Sequence, residues 1–186
     1  MLQFCFSPFP NLTTKRLQLR KTELSDANTL FLLHSNEKVI KYLDRPKRTE
    51  QEVVALTKSI IEDTDNNESI MWVILLKGHS EFIGNIGFWR IKKEHHRAEV
   101  GYILSPEHWN AGIMSEAMHA VLNYGFGVMK LHSVEANVNP DNTASIKVLK
   151  KQGFKQEAYF KEDYYFDGRY LDSAIYSLLC HDFITK

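Results

Sequence analysis

The chain has 186 residues, the length of one ordinary domain and enough to bury a core without disulfide or metal staples. At 44% hydrophobic and 25% charged it reads as globular and not as a disordered segment. Lys+Arg and Asp+Glu both number 23, so the formal charge is zero and the broad basic footprint of a nucleic-acid binder is missing.

From the start of the chain, Met1 to Leu12 carries Phe4, Phe6 and Phe9 but no basic leader, and Pro8 and Pro10 interrupt it. It does not read as a signal peptide. No run approaches the ~20 apolar residues of a membrane span, so a cytoplasmic protein without a membrane partner is expected. Cys5 and Cys180 have no ligand-like spacing. Two unpaired thiols are the simpler reading, with pairing left open.

Arg16-Leu17-Gln18-Leu19-Arg20 alternates as a half-buried strand does. Thr22 to His34 reads as a helix capped by Ser25, with Ala27, Leu30 and Phe31 on one face. Glu37 to Leu43 is a short second helical piece. Val53, Val54, Leu56, Ile60 and Ile61 give Glu50 to Asp63 a helical period, which Asn66-Asn67 ends. Three strands follow as an antiparallel meander: Ile70 to Leu76, Phe82 to Trp89 and Ala98 to Leu104. Their turns lie at Lys77 to Ser80 and at Lys92 to His96.

The period becomes helical again from Gly112, with Ile113, Ala117, Ala120, Val121 and Tyr124 on one face. His132 to Val138 reads as a strand. Asn142 to Lys151 reads as a helix closed by Gly153. Gln156 to Phe166 and Tyr170 to Leu179 form a hairpin turned at Asp167-Gly168. No linker or repeat divides the chain, so one domain spanning residues 1–186 is expected. The order gives an α+β fold with a mixed sheet.

The most informative stretch runs from Tyr102 to Ala117, where a strand ends, a loop turns and a helix begins at small residues. The first amides of such a helix lack internal partners and sit at the positive end of its dipole, a site for a phosphate or diphosphate. Gly112 lets a ligand approach the backbone closely. Strand–loop–helix joins that bind nothing are also common.

This stretch resembles the coenzyme A-binding motif of the GNAT superfamily, in the form used by its Rim branch of ribosomal-protein N-terminal acetyltransferases. Residues 11–20 resemble that branch's opening strand, and Ala98-Glu99-Val100-Gly101-Tyr102 its fourth strand. Asn139 to Ser145 with Gly153-Phe154 resemble its fifth strand and next helix, and Asp167 to Asp172 its closing hairpin. The resemblance covers nearly the whole chain in order. It implies a mostly antiparallel central sheet with helices on both faces. One departure concerns the diphosphate loop, usually Gln/Arg-x-x-Gly-x-Gly/Ala: here Trp109, Gly112 and Met114 hold the first, fourth and sixth places.

The resemblance also implies roles. Main-chain groups of Tyr102, Ile103 and Leu104 would hold the pantetheine arm like an added strand. Backbone amides of the loop that follows Trp109, from Asn110, Ala111, Gly112, Ile113 and Met114 to Ser115, would hold the diphosphate. An N–H near Ile103 would face the developing oxyanion. Glu99 is either the base that accepts the amine proton or a surface carboxylate paired with Arg97. Asn142 caps its helix, touches the pantetheine arm, or does both. Leu149 stands where many members carry an acidic tyrosine, and Ser145 is then either the proton donor to the thiolate or a first-turn helix residue.

Glu94-His95-His96 is read as a solvated turn, because adjacent side chains on a strand point oppositely and no further ligand has metal-site spacing. Tyr159, Phe160, Tyr164, Tyr165 and Phe166 are read as sheet core and acceptor-cleft wall. The resemblance implies an N-acetyltransferase that uses acetyl-coenzyme A without a metal, with a protein N-terminal amine as acceptor. The alternatives are a small-amine acetyltransferase (polyamine or antibiotic) and a non-catalytic acetyl-coenzyme A-binding module. A nucleotide phosphoryl enzyme is disfavoured, since no Lys follows the loop glycine. Association is left between monomer and homodimer.

Overall fold

Alternation in the strands and a 3.6-residue period in the helices give this chain two apolar layers to bury, one on each face of a sheet. The computed structural model describes residues 2–183. A two-residue strand β1 (Leu12–Thr13) precedes β2 (Leu17–Lys21), then α1 (Ala27–Ser35), α2 (Glu37–Ile40) and α3 (Glu50–Asp65). The meander is β3 (Ile70–Leu76), β4 (Phe82–Lys92) and β5 (Arg97–Leu104). It is followed by α4 (Ile113–Gly127), β6 (Ser133–Val138), α5 (Thr143–Lys151) and the hairpin β7 (Lys155–Phe166) and β8 (Arg169–Leu179).

The sheet has eight strands in the order β1-β2-β3-β4-β5-β6-β8-β7. All neighbours are antiparallel except β5 and β6. That α+β arrangement, with helices on both faces, is the expected one. On one face α4 buries Ala117, Met118, Val121 and Leu122 against Trp72, Phe88 and Val100. On the other, Leu30 and Leu33 of α1 and Val53 of α3 meet Val73, Leu75 and Phe82. The approach of α4 is close: a Cβ on Gly125 would come within 2.7 Å of the Phe88 ring.

Ser25 does not cap α1. Asp26 holds the N-cap position, but its side chain makes no bond to the α1 amides; it accepts from the Glu23 amide at 2.7 Å, boxing the 3-10 turn before the helix, and from both terminal nitrogens of Arg20 at 2.7–2.8 Å. A buried carboxylate with three donors fixes this short turn (Leu24–Asp26), which leads into the helix. The expected Lys92 to His96 turn is shorter than drawn, because β4 runs on through Lys92. The hairpin aromatics also differ from expectation: Tyr159, Phe160 and Tyr165 are 48%, 49% and 64% exposed, so they are not sheet core. Strand β7 is exposed along nearly its whole length, so these aromatics have no apolar layer to pack against. Cys5 and Cys180 are free and exposed. Among the described residues no helix is long and apolar enough to cross a membrane.

Candidate functional site

The parallel strands β5 and β6 are paired over only three registers, ending at Glu99 opposite Glu135. Beyond that point they diverge, and a cleft of about 780 Å³ opens in the fork. Its walls are Val100–Leu104 on one side and Ala136–Asn139 on the other, closed by the N-terminal ends of α4 and α5 and by Lys38–Leu43.

Strand alternation decides which backbone groups look into the fork. The Ser105 amide donates to the Ile83 carbonyl of β4 at 2.8 Å, so the odd-numbered residues of β5 spend their backbone groups on β4. Those of Val100, Tyr102 and Leu104 therefore face β6 or the open edge. This corrects the expectation for Ile103, whose N–H is turned to β4. The fork-facing donors are its neighbours Tyr102 and Leu104. The Leu104 carbonyl already accepts from the Trp109 indole N–H at 2.9 Å, which folds Trp109 back along the loop.

The loop and the start of α4 form the second wall. Gly112 is the N-cap of α4 at φ 73°, and Asn110 also takes a left-handed angle of 59°. Both angles suit these residue types. Among the described residues, the amides of Asn110, Ala111, Gly112, Ile113, Met114 and Ser115 have no protein acceptor. All but Ala111 border the cleft. Six unpartnered N–H groups at a helix N-terminus form an anion cradle. The lining adds Lys38, Lys41, Lys147 and Lys151, against Glu99 as its only carboxylate.

Glu99 stands where the fork begins and is only 6% exposed. Its partner is Arg90 at 3.1 Å, not Arg97, which pairs with Glu135 across the parallel strands at 2.5 Å. Burial raises the Glu99 carboxyl above its ordinary value, Arg90 offsets part of that, and Glu135 adds to the rise. A buried carboxylate of raised pKa that borders a cleft is suited to accept a proton.

Ser145 and Asn142 lie across the fork from β5. The Asn142 side chain accepts from the Ser145 amide at 3.0 Å, so it is the α5 N-cap while also lining the cleft. The Ser145 hydroxyl meets the Tyr102 phenol at 2.5 Å. Burial pushes the Tyr102 phenol up to about 12, so it keeps its proton. Either oxygen can be the donor of this bond; when the phenol donates, the serine hydroxyl is free to donate onward. Sequence reasoning valued Tyr102 for its backbone alone. Its alternation with the apolar Val100 and Leu104 marked an inward side chain, but nothing in sequence announced a partner on α5.

Residues 16–155 match the family description Acetyltransferase (GNAT) domain. The chain is 35% identical over 173 residues to the uncharacterized N-acetyltransferase YoaA of Bacillus subtilis, covering 92% of this chain and 97% of that one. It is 25% identical over 158 residues to a spermidine N(1)-acetyltransferase of Vibrio cholerae, covering 84% and 89% of the two chains. The structure of ribosomal-protein-S5-alanine acetyltransferase from Vibrio fischeri superposes with a TM-score of 0.80 at 25% identity, covering 95% of this chain and all of that one.

Proposed function

This chain belongs to the GNAT acetyltransferase family, and on that premise we propose that it acetylates a protein N-terminal α-amine from acetyl-coenzyme A. The observation that carries the reading is the fork, with a cradle of free amides on one wall and a buried carboxylate at its base. Acetyl-coenzyme A supplies an activated thioester. The amides of Asn110 to Ser115 hold its diphosphate, and the open β5 edge at Tyr102 and Leu104 pairs with the pantetheine amides. Asn142 borders the same arm. The N–H groups of that edge donate to the carbonyl oxygen as negative charge develops there. Glu99 takes the amine proton, and Ser145 donates to the departing sulfur.

The fork's lining supports a terminal α-amine over a polyamine. A polycation needs carboxylates for its distal ammonium groups, and the lining offers four lysines and one buried glutamate. The test is release of coenzyme A thiol with a panel of N-terminal peptides, polyamines and aminoglycosides. Peptides are expected to turn over best. A preference for polyamines would overturn the acceptor class, and no turnover with any amine would leave a binding module.

Ser145→Ala is expected to lower kcat by roughly ten- to a hundredfold, at the low end of general-acid contributions because a thiolate already leaves well. Tyr102→Phe should cost less, and the double variant no more than Ser145→Ala, since the phenol acts through the serine. Coenzyme A affinity, measured by titration calorimetry, should hold in both single variants. Full turnover in Ser145→Ala would assign thiolate protonation to water.

A further inference from the structure

The loop from Trp109 to Ser115 carries no cationic side chain, although it is read as the seat of a diphosphate. Its first place, where the superfamily usually has Gln or Arg, holds Trp109, and the indole is turned to the Leu104 carbonyl. One turn into α4 stands Glu116. A carboxylate there suits the helix dipole, but it also opposes a second anion at the same helix end. Burial alone would raise the Glu116 carboxyl, yet hydrogen bonds from Thr14 and from the Arg16 backbone and side chain bring it below its usual value. Glu116 is therefore ionised at neutral pH.

Arg16, about a hundred residues away in sequence, resolves that conflict. Its backbone N–H reaches Glu116 Oε1 at 2.8 Å, and its Nε reaches Oε2 at 2.7 Å. Thr14 Oγ1 donates to Oε1 as well, at 2.5 Å. The guanidinium then extends along the loop: Nη1 donates to the Ala111 carbonyl at 2.9 Å. Nη2 has no partner among the described residues and lies 3.6 Å from where a Cβ on Gly112 would stand. In a trans peptide the C=O and the following N–H point in opposite directions. By holding the Ala111 carbonyl on its own side, Arg16 turns the Gly112 amide to the other side of the loop.

We propose that Arg16 is a positioning residue for coenzyme A: it neutralises Glu116 and aims the Gly112 amide at the diphosphate. The proposal rests on the loop reading given above. The cation that the loop lacks in its own sequence comes from the turn between β1 and β2, through a fork whose planar geometry serves Glu116 and Ala111 together. A lysine ammonium lacks the planar, spaced donors that reach both acceptors at once.

The test is calorimetric titration of coenzyme A into the wild type, Arg16→Gln, Arg16→Lys, Glu116→Gln and the Arg16→Gln/Glu116→Gln double variant. Melting curves without ligand report folding. Arg16→Gln is expected to weaken binding by about ten- to thirtyfold, because it leaves Glu116 uncompensated at the helix end that holds the diphosphate and frees the Ala111 carbonyl. Adding Glu116→Gln should recover most of that loss, and Arg16→Lys should fall between wild type and Arg16→Gln. The loss in Arg16→Gln should shrink at high salt. In turnover the defect should fall on KM for acetyl-coenzyme A. Unchanged affinity in Arg16→Gln would overturn the proposal. So would a loss that Glu116→Gln does not relieve, since Arg16 would then be only a tie between two elements. A wild type that binds no coenzyme A would instead remove the loop reading beneath it. Should Arg16→Gln fail to fold, Arg16→Lys and Glu116→Gln carry the comparison, with overturning marked by equal affinity in wild type and Arg16→Lys.

Discussion

Gly112→Glu is expected to abolish coenzyme A binding, with affinity reduced more than a hundredfold in a titration that gives clear heat with the wild type. Two effects act at this position. Gly112 sits at φ 73°, where a side chain adds about 1–2 kcal/mol of backbone strain. The larger effect is charge. A Cβ here meets only the Arg16 guanidinium at 3.6 Å, so there is room for a side chain and packing does not exclude it. A new carboxylate would share Arg16 with Glu116, leaving a net negative charge at the helix N-terminus that holds the diphosphate. Gly112→Ala separates the two effects: it introduces the strain without the charge, and should cost about tenfold. Normal binding by Gly112→Glu would mean that the diphosphate lies elsewhere.

The loop was legible in sequence because its chemistry is local. A strand, a glycine and an apolar helical period within sixteen residues specify a helix N-terminus with free amides. Most of the fold was legible for the same reason, since Ile70 to Leu76 or Ala98 to Leu104 declare themselves by composition and alternation. What sequence did not carry is partnership between distant residues. Arg16 with Glu116, Tyr102 with Ser145 and Glu99 with Arg90 join residues from different elements. Arg97 was the plausible partner of Glu99, being two residues away on the same strand face. The parallel pairing of β5 with β6 gives Arg97 to Glu135 instead, and a bulge in β4 brings Arg90 to Glu99. Ser25 has a capping residue type, but the N-cap of α1 lies one residue later at Asp26, whose side chain is held by Arg20 and the Glu23 amide and not by the helix. The hairpin aromatics are apolar by composition yet largely exposed, because composition reports a buried face only where a second layer covers it.

Glu99→Gln is expected to lower kcat/KM by about a hundredfold near neutral pH, at the lower edge of general-base contributions. The amine must be neutral when it attacks, and most free α-amine is protonated below its own pKa of about 7.7–8.0. An ionised Glu99 relieves that requirement by taking the proton within the complex. Because burial raises its carboxyl, the wild-type rate should fall on the acid side at a pH above the ordinary carboxylate range. The variant lacks this ionisation, and its rate should follow the free neutral amine, rising about tenfold per pH unit until the amine itself titrates. The deficit is therefore widest between the two pKa values and narrows as pH rises past the amine's. Arg90→Gln provides the complementary measurement. Arg90 holds the Glu99 carboxyl lower than burial alone would, so removing its charge should move the acid limb of the wild-type profile to higher pH. A structural ion pair predicts neither change. Identical pH–rate profiles for the wild type, Glu99→Gln and Arg90→Gln would return Glu99 to that role and leave the amine proton to solvent.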